Sequence, residues 1–363
     1  MLHPCRNSGH DHADNMDEDG KMSETNTIDS LWYTRCPVPT PLGLAARQGW
    51  FDDEFRGDGL TLRTLQDTAD PALRESHYDH RLPASFRQGG NVPAIWARAR
   101  GADTRVIGLN WVDEAQLILA RPDSGLRGPA DLAGKRIGVP VHGNSIDHQR
   151  ASALRGITVA LEVGGLQVKD VTLIDLAVPA RPATTGWNAA GGSYATEFEA
   201  LETGKVDVIF TKGARGLQAA VERGAHILYD LRSHPDPRKR ANNGAPRPIT
   251  VDAALIAARP DLVVRFLRRI VDIGAWAKAH AEETVAYIAR ESGSTDDWVR
   301  RAYGADIHLQ QGTDLAPAWV EALSGYKDFL LEWGFITADF DVQAWIDPAP
   351  LAEVRRQLER AAA

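Results

Sequence analysis

The stretch that decides the fold is residues 125–140, GLRGPADLAGKRIGVP, in which a polar turn leads into the apolar run IGVP. Turn residues followed by a short apolar segment predict a tight turn that feeds a buried strand. Two similar apolar segments follow, DVTLID at 170–175 and VDVIF at 206–210, and helical patterns lie between them. Short strands that alternate with helices are typical of an α/β fold.

The order of the predicted elements indicates two lobes. Strands and helices alternate over 28–115 and again over 116–248, and the chain then returns to the first lobe with the mainly helical residues 249–363. We therefore predict a discontinuous first lobe (28–115 plus 249–363), a second lobe (116–248) and a cleft between them, where small-molecule sites are common. Residues 1–27 are polar and acidic, so we expect a disordered tail.

Composition and charge exclude several classes of function. The chain has 363 residues, 43% of them hydrophobic, and a formal net charge of -8. This acidity argues against nucleic-acid binding. No apolar run approaches the roughly 18 residues of a spanning helix, so we expect no membrane segment. The polar start lacks the apolar core of a secretory signal, whether Met1 or Met22 is the true start, so we expect a cytoplasmic protein.

Cys36 is the candidate for covalent or acid–base chemistry. The chain has two cysteines, which allow no disulfide framework, and Cys5 lies in the predicted tail. Cys36 precedes a predicted helix start at Thr40 and Pro41, where the helix dipole favours a thiolate. The residues by themselves leave open an inert buried thiol, which is the commonest fate of a free cysteine.

A histidine and an arginine are the candidate partners of this thiol. His77 lies in a polar stretch, and it is either an ordinary solvated side chain or a group that exchanges a proton with the cysteine. Arg87 is followed by Gly89 and Gly90 and by a helix for which Asn91 is the predicted cap. A guanidinium and glycine N–H groups at a helix start both bind oxyanions, which favours a sulfinate, sulfonate or carboxylate site. A surface salt bridge is the alternative for Arg87.

Other polar residues are weaker candidates. His142 and His148 follow a predicted strand and are candidates for ligand contact, and Lys212 and Arg215 face either the cleft or solvent. The carboxylates at 113–114, at the first crossing between lobes, are expected to be solvated. The sequence has no HExxH spacing and no Walker or GxGxxG loop, so we expect neither a metal nor a nucleotide cofactor.

The candidate residues carry a family resemblance. The segment YTRCPVP at 33–39, with His77, Arg87 and the pair Gly89 and Gly90 at matching intervals, resembles the nucleophile loop and anion site of the 2'-hydroxybiphenyl-2-sulfinate desulfinase family. Members of that family carry a histidine and an arginine ten residues apart, with a glycine pair starting two residues after the arginine. The combination of Cys, His, Arg and Gly-Gly in register is a specific signal.

A broader resemblance extends from residue 31 to the C-terminus. Segments 125–140 and 204–228 are similar to those of the bilobal solute-binding proteins of nitrate, sulfonate and taurine uptake, which are relatives of the desulfinase family. The resemblance implies a two-lobed, periplasmic-binding-protein-like (type II) α/β fold with an interlobe cleft. It leaves two alternatives to an enzyme of this kind. One is a non-catalytic solute-binding protein of a sulfonate- or nitrate-type ABC importer, and the other is a cytosolic sensor or a cofactor-precursor enzyme on the same fold.

The family resemblance implies an aromatic sulfinate desulfinase, which hydrolyses a C–S bond and releases sulfite, the last step of dibenzothiophene biodesulfurization. Cys36 would act as nucleophile or proton donor, His77 would tune it, and Arg87 with the Gly90 N–H would hold the sulfinate oxygens. No cofactor is implied, the partner is a small aryl sulfinate, and we expect a monomer. Further substrate-binding residues are predicted at Gly89, Thr34, His148 and Trp187.

Two departures from the family pattern concern the substrate. The family presents a Trp near the start of the second lobe, where this chain has DHQR at 147–150. It also has aromatic residues after the VDVIF strand, where this chain has TKGA at 211–214. Trp187, in an inserted segment at 181–193, is the candidate replacement ring. These differences leave open another aryl sulfinate, or an alkyl sulfinate, as the substrate.

Overall fold

The computed structural model describes residues 28–180 and 194–363, so the predicted tail at 1–27 lies outside the described residues. The strands are β1 (Ser30–Arg35), β2 (Thr61–Thr64), β3 (Ser85–Gln88), β4 (Thr104–Asn110), β5 (Gln116–Ala120), β6 (Arg136–Val141), β7 (Thr172–Ala177), β8 (Val208–Lys212), β9 (His226–Asp230) and β10 (Arg247–Asp252). The α-helices are α1 (Pro41–Arg47), α2 (Trp50–Phe55), α3 (Pro71–Asp79), α4 (Asn91–Ala99), α5 (His148–Val163), α6 (Ala195–Glu202), α7 (Gly213–Glu222), α8 (Pro237–Arg240), α9 (Ala253–Ala258), α10 (Pro260–Ala279), α11 (Ala281–Ser292), α12 (Asp296–Tyr303), α13 (Pro317–Glu332), α14 (Val342–Trp345) and α15 (Ala349–Ala362).

The strands of the described residues form two five-stranded mixed sheets. The first has the order β2-β1-β3-β10-β4, in which β1 runs parallel to β2 and β3 while β10 is antiparallel to both of its neighbours. The second has the order β7-β6-β8-β5-β9, in which β6 runs parallel to β7 and β8 while β5 is antiparallel to β8 and β9. The predicted α/β class is therefore confirmed.

Over residues 28–180 and 194–363, the chain crosses between the sheets twice. It leaves the first sheet between β4 and β5, and it returns with β10, which begins at Arg247, shortly before the return predicted at residue 249. The predicted lobe limits, 28–115 with 249–363 and 116–248, otherwise stay a prediction. β10 therefore connects the second crossing directly to the interior of the first sheet, between β3 and β4.

An aromatic stack packs α10 onto the first sheet. The ring of Phe266 stacks on Phe51, with centroids 4.1 Å apart, and on Phe86, with centroids 3.9 Å apart. All three rings are fully buried, and large buried rings contribute strongly to core stability. Because Phe86 belongs to β3, the stack fixes the strand whose carboxyl end approaches the cleft.

A helix cap holds the loop that follows β1. The Thr40 hydroxyl accepts a hydrogen bond from the Gly43 N–H at 3.1 Å, and Pro41 occupies the first helical position of α1, as the sequence predicts. The Leu42 N–H also donates to the Gln88 side chain at 2.8 Å, which ties the start of α1 to β3. The loop that contains Cys36 is thereby anchored at both ends.

Within the described ranges, no helix combines the length and the apolar character needed to cross a membrane.

Candidate functional site

The site begins where β1 and β3 end. These neighbouring parallel strands finish at the same edge of the first sheet, and the Cys36 N–H donates to the Gln88 carbonyl at 3.1 Å. Cys36 therefore lies beside Gly89 and Gly90, although a long stretch of the chain separates them in sequence. The topology of the sheet, rather than local sequence, brings these residues together.

Cys36, His77 and Thr34 form a chain of hydrogen bonds. The Cys36 Sγ lies 3.3 Å from His77 Nε2, and His77 Nδ1 lies 2.8 Å from the Thr34 hydroxyl. When Thr34 donates to Nδ1, the ring proton sits on Nε2 and faces the sulfur; in the other tautomer Nε2 accepts the thiol proton. Either arrangement lets the imidazole exchange one proton with Cys36, as the sequence predicts for His77.

Burial keeps the imidazole neutral. His77 lies in the last turn of α3 and is buried. Burial, and then the nearby positive charge of Arg87, hold the pKa of His77 well below its usual value. A neutral ring at neutral pH is able to accept a proton from the thiol, which a permanently charged imidazolium is not.

Arg87 lies behind this pair and is not a surface residue. Its side chain is buried, its Nε donates to the His77 carbonyl at 2.7 Å, and its Nη2 donates to the Gly90 carbonyl at 3.0 Å. Its Nη1 is buried without a hydrogen-bond partner among the described residues. The surface salt bridge considered for Arg87 is therefore wrong. Direct contact with a sulfinate stays a prediction, since Arg87 is 1% exposed and is not among the residues that line the cavity between the sheets.

The glycine pair allows a close approach to the sulfur. The Gly90 N–H donates to Cys36 Sγ at 3.4 Å. A Cβ atom on Gly89 would collide with that sulfur, and one on Gly90 would press on the Asn243 side-chain amide. Glycine at position 89 therefore leaves room for the thiol, and glycine at position 90 leaves room for Asn243 while its N–H points at the sulfur.

The start of α4 differs from the predicted cap. Gly90 occupies the cap position and Asn91 is the first helical residue, so the prediction that Asn91 caps the helix is wrong. The Asn91 side chain donates instead to the carbonyls of Asn242 at 2.9 Å and Pro246 at 3.0 Å. Asn243 accepts from the backbone N–H groups of Asn91 and Val92, both at 3.0 Å. These contacts bind the 242–246 turn to the helix start beside the thiol.

The site opens into a cavity of about 810 Å³ between the two sheets. Cys36, His77 and Gly90 line it from the first lobe, and His148 lines it from the start of α5. His148 is buried at its imidazole Nδ1, its ring centre lies 6.3 Å from that of Tyr78, and burial lowers its pKa to about 4. A cavity of this size accommodates a small aromatic molecule.

The structure thus brings most of the predicted site residues together. Thr34, Cys36, His77, Arg87, Gly89 and Gly90 form one cluster, and His148 faces the same cavity. Trp187 lies outside the described residues. Within residues 28–180 and 194–363, no group of three or more His, Cys, Asp or Glu side chains is placed to hold a metal ion.

The lobe junction carries charged residues that sequence reasoning missed. The expectation that the carboxylates at 113–114 are both solvated is wrong for Glu114, which is 3% exposed and pairs with Lys212 Nζ at 2.7 Å. Arg247, at the start of β10, is also buried and lines the cavity. Lys212 and Arg215, the two weaker candidates after β8, line the cavity as well. Arg247 gives no sequence signal, because a charged residue in a Pro-rich stretch normally indicates an exposed loop.

Comparisons with known proteins agree with this geometry. The NMT1/THI5-like family model matches residues 37–284. The chain is 28% identical over 362 residues to the 2'-hydroxybiphenyl-2-sulfinate desulfinase of Rhodococcus erythropolis, an alignment that covers 91% of this chain and 94% of that protein. The resemblance inferred from the sequence is therefore confirmed.

Solved structures give the same result. A cysteine-to-serine mutant of DszB in complex with biphenyl-2-sulfinic acid is similar with a TM-score of 0.73 at 25% identity, covering 91% of this chain and 99% of that one. The periplasmic aliphatic sulphonate binding protein SsuA from Escherichia coli is similar with a TM-score of 0.60 at 16% identity, covering 88% and 92%. The second likeness shows the fold alone, and it confirms the predicted two-lobed, binding-protein-like architecture.

Proposed function

This chain belongs to the NMT1/THI5-like family, and we propose that it is an aromatic sulfinate desulfinase, which hydrolyses a C–S bond and releases sulfite. The observation that carries the proposal is the contact of Cys36 Sγ with His77 Nε2 at 3.3 Å on the wall of the interlobe cavity. The similarity to a desulfinase over 91% of this chain, and to DszB in complex with biphenyl-2-sulfinic acid, supports the same reaction here.

The overall reaction converts an aryl sulfinate and water into the arene and hydrogen sulfite. In one route the Cys36 sulfur attacks the sulfinate sulfur, the aryl–sulfur bond breaks, and the thiol proton goes to the ring carbon. Water then cleaves the enzyme S–S bond, which restores the thiol and releases hydrogen sulfite. In the second route Cys36 protonates the ring carbon directly, SO₂ leaves, and water converts it to hydrogen sulfite while the thiolate regains its proton.

Both routes use the same surroundings of the sulfur. His77, held neutral by burial, carries the proton between the thiol and the reacting group. The Gly90 N–H stabilises negative charge on the sulfur at 3.4 Å, and Arg87 holds the backbone of both His77 and Gly90. In the proposal the sulfinate oxygens receive hydrogen bonds from Arg87 Nη1, which has no partner among the described residues. A reacting free thiol suits a reducing compartment, so the proposal includes a cytoplasmic location. It also keeps the monomer that the family resemblance implies.

The test is sulfite release from 2'-hydroxybiphenyl-2-sulfinate and benzenesulfinate. Wild-type protein is expected to release sulfite in proportion to arene formed, and Cys36→Ser is expected to abolish turnover while it still binds the substrate. Cys5→Ser is the matched control, because it changes the other cysteine of the chain, and it should retain activity. Full activity of Cys36→Ser would overturn the proposal. Saturable binding of a sulfonate without any sulfite release would favour the solute-binding alternative instead.

A further inference from the structure

The far corner of the cavity, which we call the junction corner, consists of Glu114, Lys212 and Arg247. Glu114 lies on the crossing between β4 and β5, Lys212 ends β8 of the second sheet, and Arg247 begins β10 of the first. The Glu114 carboxylate is 2.7 Å from Lys212 Nζ and 3.9 Å from Arg247 Nη2. All three residues line the cavity that also contains Cys36.

Arg247 is the unusual member of this corner. Its side chain is 0% exposed, yet Nε, Nη1 and Nη2 all lack a hydrogen-bond acceptor among the described residues. The carboxylate of Glu114 is too distant, at 3.9 Å, to accept a normal hydrogen bond, and it already pairs with Lys212. A buried guanidinium without acceptors is costly, so an acceptor that enters this corner gains an unusually favourable interaction.

The charge of the cavity wall also favours an anion. The chain as a whole has a formal net charge of -8. Among the described residues that line the cavity, basic side chains outnumber carboxylates by four to two: Arg74, Lys212, Arg215 and Arg247 against Glu114 and Glu197. A cavity with excess positive charge in an acidic protein attracts anionic ligands by electrostatic focusing.

The sheet places Arg247 at the same edge as the thiol. Gln88 pairs with Ile249, so Arg247 lies toward the same edge of the sheet as the ends of β1 and β3. The order β1-β3-β10 separates the Cys36 and Arg247 backbones by two strand spacings, or about 10 Å. An arene with two acidic substituents can therefore be contacted by residues of one sheet edge, with one substituent toward each of these strands.

We infer that Arg247 receives a second acidic group of the substrate, so that this protein acts on an arene with both a sulfinate and a carboxylate or similar anion. The sulfinate lies at Cys36 and the second anion lies in the junction corner, where the Arg247 fork binds both of its oxygens and Lys212 adds charge. This inference rests on the proposed desulfinase function, and it names the substrate class that the cavity selects.

The test is binding to the full-length protein by isothermal titration calorimetry, with sulfonates in place of sulfinates. The probes are 3-sulfobenzoate, the isosteric 3-sulfobenzamide and benzenesulfonate. Wild type is expected to bind 3-sulfobenzoate at least about 10-fold more tightly than either neutral-ended probe, since a charge-assisted bidentate contact contributes that much. Arg247→Gln is expected to reduce the ratio of the affinities for 3-sulfobenzoate and 3-sulfobenzamide to about 2 or less. Arg127→Gln, which changes an exposed arginine that does not line the cavity, is expected to preserve this ratio.

Two outcomes would overturn the inference. One is equal affinity of wild type for 3-sulfobenzoate and 3-sulfobenzamide, which decides the question even where Arg247→Gln does not fold. The other is an undiminished preference for the carboxylate in a folded Arg247→Gln variant. If only the proposed function is wrong, the protein releases sulfite from no sulfinate but still prefers the carboxylate among the sulfonate probes. This result differs from both outcomes above.

Discussion

Arg87 donates a hydrogen bond from Nε to the backbone carbonyl of His77 at 2.7 Å, and it donates a second from Nη2 to the carbonyl of Gly90 at 3.0 Å. The guanidinium thus joins the last turn of α3 to the segment after β3. It fixes the backbone of the two residues that contact the Cys36 sulfur, and its charge contributes, after burial, to the low pKa of His77. Arg87 therefore controls both the geometry and the protonation state of the Cys36–His77 pair.

Arg87→Met is expected to lower kcat about 100-fold, because small displacements of reacting groups have effects of that size. The acidic limb of the pH–rate profile is also expected to move to higher pH, since the charge that lowers the pKa of His77 is removed. The measurement is kcat/KM for benzenesulfinate as a function of pH.

The matched control is Arg74→Met. Arg74 lies on α3 with His77 and, like Arg87, donates from Nε to a backbone carbonyl, in this case that of Thr68, at 2.7 Å. Its charge is not among the causes of the low pKa of His77. The acidic limb of the pH–rate profile of Arg74→Met should coincide with that of wild type. An acidic limb that does not move in Arg87→Met would contradict the role given to the arginine charge.

Thr34 orients the imidazole, and its hydroxyl can be removed without a large change in volume. Thr34→Val removes the partner that lies 2.8 Å from His77 Nδ1, so the ring loses its preferred orientation toward the sulfur. We expect kcat to fall about 10-fold with little change in KM, as for the loss of one buried hydrogen bond. Thr34→Ser keeps the hydroxyl and should restore most of the rate. Equal rates for the two variants would show that this hydrogen bond does not contribute to turnover.

Gly89 allows the close approach of the thiol to the end of β3. A Cβ at this position would collide with Cys36 Sγ, so Gly89→Ala is expected to displace the sulfur and reduce sulfite release at least about 10-fold. Gly57→Ala is the control, because nothing lies within 4 Å of a Cβ there. Steady-state rates and iodoacetamide alkylation of Cys36 measure the effect. If Gly89→Ala released sulfite and reacted with iodoacetamide at the wild-type rates, the expected collision with Cys36 Sγ would be contradicted.

The sequence predicts features that depend on residues close together in the chain, and features whose residues match the spacing of a known family. The Thr40 cap with Pro41 at the first helical position follows from local residue chemistry. The cluster of Cys36, His77 and Gly90 is predictable because parallel strands end at one edge of a sheet and because its spacing matches a known family.

The junction corner is different, because no local pattern reveals it. Glu114 and Arg247 meet only because β10 returns from the second crossing to lie beside β4. In sequence each looks like a solvated charge near a loop, and only the pairing of the strands buries them. Asn91 is a similar case, since contacts with the carbonyls of Asn242 and Pro246 take its side chain away from the predicted cap.

Two histidines with lowered pKa values make stability depend on pH. Burial lowers the pKa of His80 and of His148 to about 4 each. In the unfolded chain a histidine titrates near 6.5, so between about pH 4 and 6.5 the unfolded state binds more protons than the folded state. Stability is therefore expected to fall as the pH falls through this range, by up to about 1.4 kcal/mol per pH unit for each such group.

We expect the urea midpoint at 25 °C to decrease steadily between about pH 6.5 and pH 4.5, and His148→Gln to make that decrease shallower. The reason is that His148→Gln removes one group that takes up a proton on unfolding, whereas the neighbouring buried histidines remain. His226→Gln is the control, because His226 is exposed and its replacement should leave the slope unchanged. Equal slopes for His148→Gln and wild type would contradict the lowered pKa of His148.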